Sequence, residues 1–228
     1  MRKKIELMIV VFLIVAAIAA GPQTAKYVMN MKAGTSPVSI VVDPGHGGND
    51  PGKVGVSGAL EKDINLEIAV KLKDYLEEKE MKVVLTREAD VSLAEEGASS
   101  TQVSDLKRRV EIIEEEAPEI AVSIHQNSYT DSLVSGAQVF YYGQSQEGQR
   151  LAEAIQESLA GTLDPSNYRE AKANESYYIL KRTSVPTVIV ECGFLSNPEE
   201  ESILQDEAYQ DKLVEAIYKG IEVYLDEK

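Results

Sequence analysis

One cysteine in 228 residues, Cys192, leaves no partner for an intrachain disulfide. Stability must therefore come from a packed core rather than from bridges. Basic residues are scarce beside acids: 23 Lys and Arg against 38 Asp and Glu give a net charge of −15. That balance excludes polyanionic partners, so neither nucleic acid nor an anionic membrane surface is expected as a ligand, and most of the acids read as a solvated face. Internal repeats and low-complexity tracts are missing too. What remains is enough apolar sequence, 43% of residues, for one sizeable core in a single domain.

The N-terminus does not belong to that core. Met1-Arg2-Lys3-Lys4 is basic, and Leu7 to Ala20 is unbroken apolar sequence before Gly21-Pro22. Residues 1–22 are read as a signal peptide or a signal anchor, with membrane anchoring through residues 5–21 in the second case. Ala17-Ile18-Ala19 offers a small-x-small cleavage site. Either reading places the remainder outside the cytoplasm. Residues 23–37 read as a linker, and the folded domain as 38–228.

Within that domain, apolar β-branched runs at 38–42, 82–86, 120–124, 137–142, 177–180 and 187–190 predict strands. Leu60, Ile64, Ile68, Leu72 and Leu76 spell a helix to about Lys79. Leu106, Val110 and Ile113 spell another, stopping near Pro118. Leu151, Ile155 and Leu159 give a third, broken at Gly161, and Leu213, Ile217, Ile221 and Leu225 mark a helical end. Glu88–Ser104 is polar and aperiodic and reads as a loop. Strands alternating with helices predict an α/β fold with a central, mostly parallel or mixed sheet flanked by helices.

Histidine is rarer than any other candidate for chemistry except the cysteine. The two present sit where strands empty into turns: His46 in Asp43-Pro44-Gly45-His46-Gly47-Gly48, and His125 in Ser123-Ile124-His125-Gln126-Asn127. Such strand ends are where α/β proteins keep their active sites. Two His and one Glu form an established catalytic zinc set. Glu61, one residue past Leu60, is the candidate carboxylate, and Asn65 lies on the same helix face, able to hold it. On the residues alone an ordinary acid in a helix first turn is the better account of Glu61, because Glu is common there, and a histidine satisfied in a core is the plain alternative for each imidazole. Glu191 closes the apolar run 187–190 and is either a turn-capping carboxylate or a half-buried acid aimed into a cleft, where burial would raise its pKa for proton transfer. Alternation along that strand sends Cys192 to the opposite face, so the thiol reads as inert. Asn127 reads as a turn residue or as a polar group at the site.

Asp43-Pro44-Gly45-His46-Gly47-Gly48, Glu61-Lys62-Asp63-Ile64-Asn65-Leu66, Ser123-Ile124-His125-Gln126-Asn127 and Glu191-Cys192-Gly193-Phe194-Leu195-Ser196-Asn197 occur in this order. Together they resemble the zinc-dependent N-acetylmuramoyl-L-alanine amidases of the amidase 3 type. The resemblance implies one zinc ion held by His46, Glu61 and His125, with Glu191 as the catalytic carboxylate. Peptidoglycan glycan-peptide strands would be the substrate, cut between N-acetylmuramic acid and L-alanine. Gln126, where Ala is more usual, and the N-terminal segment resemble the germination-specific, spore-cortex branch, which acts on the route to muramic-δ-lactam. Glu114 stands where many members carry Asn and is read as a surface change. An exported, non-catalytic domain that binds peptidoglycan or a partner is the competing class. With no wall-binding module evident, an accessory protein is an expected partner, and the 88–104 loop is a place for it to dock or for the chain to cover a cleft.

Overall fold

The structure, a computed structural model, describes residues 37–228. The compact unit runs from Val38 to Lys228. The 1–22 leader and nearly all of the linker fall outside the described residues. Among those described, no helix is long and apolar enough to cross a membrane.

Six strands form one sheet: β1 (Ser39–Pro44), β2 (Lys82–Leu85), β3 (Ile120–Asn127), β4 (Gln138–Tyr141), β5 (Lys172–Ala173) and β6 (Thr187–Phe194). Their order is β2-β1-β3-β6-β4-β5. The first four in that row run parallel; β4 runs antiparallel to β6 and carries β5 parallel to itself. The sheet is mixed, as the pattern of elements predicts. Among the described residues six helices accompany it: α1 (Glu61–Glu78), α2 (Thr101–Glu116), α3 (Gln146–Thr162), α4 (Tyr178–Arg182), α5 (Pro198–Leu204) and α6 (Glu207–Asp226).

The central strands are apolar on both sides because both faces are covered. Ile40, Val42, Val122, Ile124, Val188 and Val190 point toward α1, α3 and α6, whose stripes (Ile64, Ile68, Leu72; Leu151, Ile155; Leu213, Ile217) complete the larger core. The alternating residues Val41, Ala121 and Ile189 meet Ile113 of α2 and Ile179 and Leu180 of α4 in a smaller core. Asp43, Ser123, His125 and Glu191 continue the smaller-core parity to the C-terminal edge of the parallel strands.

Four expectations are corrected. The 177–180 run is not a strand: Tyr178–Arg182 is helical. Asn174 Oδ1 accepts from the Ser176 and Tyr177 N–H groups, turning the chain into a helix that puts the adjacent Ile179 and Leu180 into one core, which a strand would send to opposite faces. The 88–104 loop ends at Ser100, whose hydroxyl accepts from Val103 N–H at 3.4 Å and starts α2 at Thr101; capping chemistry prevails over an aperiodic polar sequence. Gly161 does not break its helix, because α3 continues to Thr162. The strand expected to end at Val190 runs on to Phe194, so Glu191 is a strand residue.

Candidate metal centre

β1 delivers its last residues against β3, with Gly45 N–H donating to Ile124 O at 3.0 Å. The chain then turns through His46, Gly47 and Gly48 at φ of 62°, 138° and 58°, which glycine tolerates and histidine resists. A Cβ on Gly45 would stand 2.2 Å from His125 Cε1. The bare backbone is therefore what lets the β1 turn lie flat on the second imidazole. Gly52, at φ +68°, repeats the device: a Cβ there would meet Glu61 Oε2 at 2.5 Å and His46 Cδ2 at 2.7 Å.

Glu61 opens α1 and is 1% exposed. Its Oε1 lies 3.2 Å from His46 Nε2 and 2.9 Å from His125 Nδ1, and accepts from the Gln126 N–H at 3.1 Å. Its Oε2 accepts from the Lys53 N–H at 2.6 Å. The imidazoles meet edge to face, centroids 5.0 Å apart. One atom from each of His46, Glu61 and His125 can be chosen so that all lie within 4.8 Å of one another. Burial alone would raise the Glu61 pKa, but hydrogen bonds and charge from His125 and His46 hold it well below the carboxylate range. Burial disfavours the His46 cation, yet the two carboxylates flanking it, Glu61 and Asp50, push its pKa up to about 9. Two nitrogens and an ionised oxygen converging on one point, with the mouth partly open to solvent, match the donor set and the open position of a catalytic zinc site.

The surroundings fix the orientation of each group. Asn65 Nδ2 donates to Gly45 O at 3.2 Å and lies 3.5 Å from Glu61 Oε1, while its Oδ1 accepts from Gln126 Nε2 at 3.2 Å. The expected link from Asn65 to the carboxylate is thus a long contact, and its firmer bonds go to the His46 turn and to β3. Glu191 stands beside His125 in the β3–β6 register and beside Gln138 in the β4–β6 register. It is 7% exposed. Burial pushes its pKa up, against the pull of the His125 and His46 charges. Its Oε2 is buried and accepts no hydrogen bond among the described residues. Cys192 lies in the larger core on the other face, and burial drives its thiol pKa far up. Asn127 ends β3 and its Oδ1 accepts from the Ser128 N–H at 2.8 Å, the bond of a turn residue. Glu114 is exposed and accepts from the N–H and hydroxyl of Ser184.

Sequence reasoning passed over four side chains here. Asp50 lies 2.8 Å from His46 Nδ1, an orienting carboxylate behind an imidazole. Asp43, 1% exposed, accepts from Thr86 and Ser123 hydroxyls and from Arg109, each at 2.6 Å. Burial opposes its charge, but Arg109 and the two hydroxyls lower its pKa to about 2. Arg109 also donates to Pro44 O and His46 O, and Arg87 to Pro44 O and Gly45 O. Asp43 and Arg87 were legible as strand-end polar residues, the same signal that singled out the histidines. A cleft of about 420 Å³ opens beside the cluster, lined by His46, Asp50, Asp105, Leu106, His125 and Ile179.

A family model described as N-acetylmuramoyl-L-alanine amidase (Amidase 3) matches residues 40–223. The chain belongs to this family. It is accordingly a peptidoglycan hydrolase, cutting the amide between N-acetylmuramic acid and L-alanine. The chain is 43% identical over 192 residues to the germination-specific N-acetylmuramoyl-L-alanine amidase of Bacillus subtilis, covering 83% of this chain and 80% of that one. Among solved structures it is similar to the CwlD amidase of Clostridioides difficile, determined in complex with the GerS lipoprotein, with 42% identity, a TM-score of 0.81, and 84% and 100% of the two chains covered. An N-acetylmuramoyl-L-alanine amidase of Clostridium difficile 630 is 31% identical with a TM-score of 0.76, covering 85% of this chain and all of that one.

Proposed function

We propose that this amidase is a zinc enzyme acting outside the cytoplasm on spore-cortex peptidoglycan, removing stem peptides on the route to muramic-δ-lactam. The observation that carries the zinc reading is the convergence of His46, Glu61 and His125 atoms within 4.8 Å beside a buried carboxylate, Glu191, whose Oε2 has no hydrogen-bond partner among the described residues. The likeness to the germination-specific enzyme of Bacillus subtilis supports the cortex role. The Clostridioides difficile relative, determined with a lipoprotein, supports an accessory protein as partner.

His46, Glu61 and His125 would hold the ion. The chemistry zinc supplies in such a site is acidification of a water and polarisation of a carbonyl. Glu191 is the proton carrier: it takes a proton from the attacking water and returns it to the departing alanine nitrogen. Its raised pKa suits that exchange, since a strongly acidic carboxylate would not keep the proton long enough to hand it on. Glu61 stays ionised because the two imidazoles hold it so. Asp50 keeps the outer nitrogen of His46 engaged, and Asn65 keeps the turn behind it in place. Asn127 is the candidate polar group for the developing oxyanion.

Mass spectrometry of cortex peptidoglycan digested with the purified domain, with and without zinc, tests this reading. New L-alanine amino termini should appear with zinc and vanish with chelator. Activity that survives complete zinc removal would overturn the metal assignment. Bound zinc with no hydrolysis of native cortex would favour a non-catalytic binding domain.

A further inference from the structure

Arg87 is 3% exposed, yet none of its hydrogen bonds goes to a carboxylate. Its Nε donates to Pro44 O at 3.0 Å, Nη1 to Ala89 O at 3.0 Å, and Nη2 to Gly45 O at 3.0 Å and to Lys62 O at 2.8 Å. A buried guanidinium facing only neutral acceptors is costly. Burial and the neighbouring Arg109 charge lower its pKa, against the pull of the Asp43, Asp90 and Asp105 charges, none of which it hydrogen-bonds. Such a group persists only where what it holds matters more than what it costs.

What it holds is specific. Pro44 and Gly45 lead directly into His46, and Lys62 follows Glu61 in the first turn of α1. One planar fork therefore spans the two segments that carry two of the three candidate metal ligands. The His46 turn is also the one with three consecutive positive φ values, a strained path that needs outside restraint to persist. Arg109 completes the restraint from the other side, through Pro44 O at 2.8 Å and His46 O at 2.6 Å. The carbonyls of Pro44, Gly45 and His46 are thus all taken by guanidinium groups. Lysine has the charge but not the fork: its three N–H donors cannot serve four acceptors at fixed angles.

We infer that Arg87 is a positioning residue of the metal centre, setting the separation between the His46 turn and the Glu61 turn so that the ligands are arranged before an ion arrives. This rests on the reading of His46, Glu61 and His125 as zinc ligands. Its consequence lies in metal affinity more than in fold, because all four of its hydrogen bonds end on backbone carbonyls, three of them in the segments that carry His46 and Glu61.

The test compares R87K, R87M and R87Q with wild type and with L72A, a core truncation in α1 remote from the site. Each metal-stripped protein is titrated with zinc against a fluorescent chelator, and its far-ultraviolet circular dichroism and Tm are recorded. R87K and R87M should keep the wild-type spectrum and lose zinc affinity by about 10- to 100-fold, the range for groups that orient metal ligands. L72A should lose Tm and keep its affinity. A folded Arg87 variant with wild-type affinity would overturn the inference. Equal loss of affinity in L72A would do the same, as would failure of all three Arg87 variants to fold, since the arginine would then hold the domain rather than the site. Failure of the wild type to bind zinc would overturn the metal reading together with this inference, and is told apart because it needs no substitution.

Discussion

Gly45→Ala separates the candidate metal centre from the fold more cleanly than any ligand replacement. The φ of Gly45 lies outside the left-handed region, so alanine suits the backbone and removes some freedom from the unfolded chain, by itself worth about 0.4–1 kcal/mol. The new methyl, however, would stand 2.2 Å from His125 Cε1, 2.3 Å from Nε2 and 2.7 Å from Nδ1, where ordinary contact begins at 3.4 Å. The turn cannot retreat easily, because Arg87 and Asn65 hold Gly45 O and the Gly45 N–H is tied to β3. The imidazole must therefore move by about 1 Å, whereas metal–ligand distances tolerate only about 0.2 Å. Overpacking of this kind costs about 1–3 kcal/mol in stability, and zinc affinity should fall by about 100-fold or more, beyond what loss of an orienting partner causes. Chelator competition, with release of L-alanine amino termini measured in parallel, reads both effects. Gly97→Ala is the control: its φ is +78° and its Cβ would meet nothing within 4 Å, so it should cost about 1–2 kcal/mol in strain with zinc affinity unchanged. A folded Gly45→Ala protein that binds zinc like wild type would refute the packing argument and the assignment of His125.

Glu191→Gln should fold and bind zinc yet release no alanine termini; measurable turnover would remove Glu191 from proton transfer. Asp43→Asn leaves Arg109 buried with Asp105 as its remaining carboxylate, and should lower stability by about 3 kcal/mol in urea unfolding. Because the folded-state pKa of Asp43 is depressed from 3.8 to about 2, its contribution is present above pH 3.8 and lost as the pH falls through 2. That contribution is about 2 kcal/mol, and the Asn variant should lack this part of the acid slope. Cys192, fully buried with a raised pKa, should resist iodoacetamide in the native protein; rapid labelling with loss of activity would place the thiol near the chemistry.

The strands and long helices were legible because both faces of the sheet are covered, which leaves continuous β-branched runs and four-residue stripes in the sequence. The failures were local. Tyr177–Leu180 has strand-like residues, but a side-chain turn at Asn174 and the demand that Ile179 and Leu180 share one core make it a helix. The start of α2 was hidden in polar sequence because a serine cap leaves no hydrophobic signature.

For the centre, sequence alone determined which groups were scarce enough to matter: two histidines, both at strand ends, and an acid closing an apolar strand. The order of the motifs then pointed to the family. Sequence could not bring Glu61 to both imidazoles, because that depends on α1 starting over the edge of the sheet, with Gly45 and Gly52 giving up the space a side chain would occupy. Nor could it reveal the hold of Arg87 and Arg109 on the His46 turn. Those bonds end on backbone carbonyls, which every residue possesses, so only the tertiary structure decides which carbonyls a buried arginine reaches.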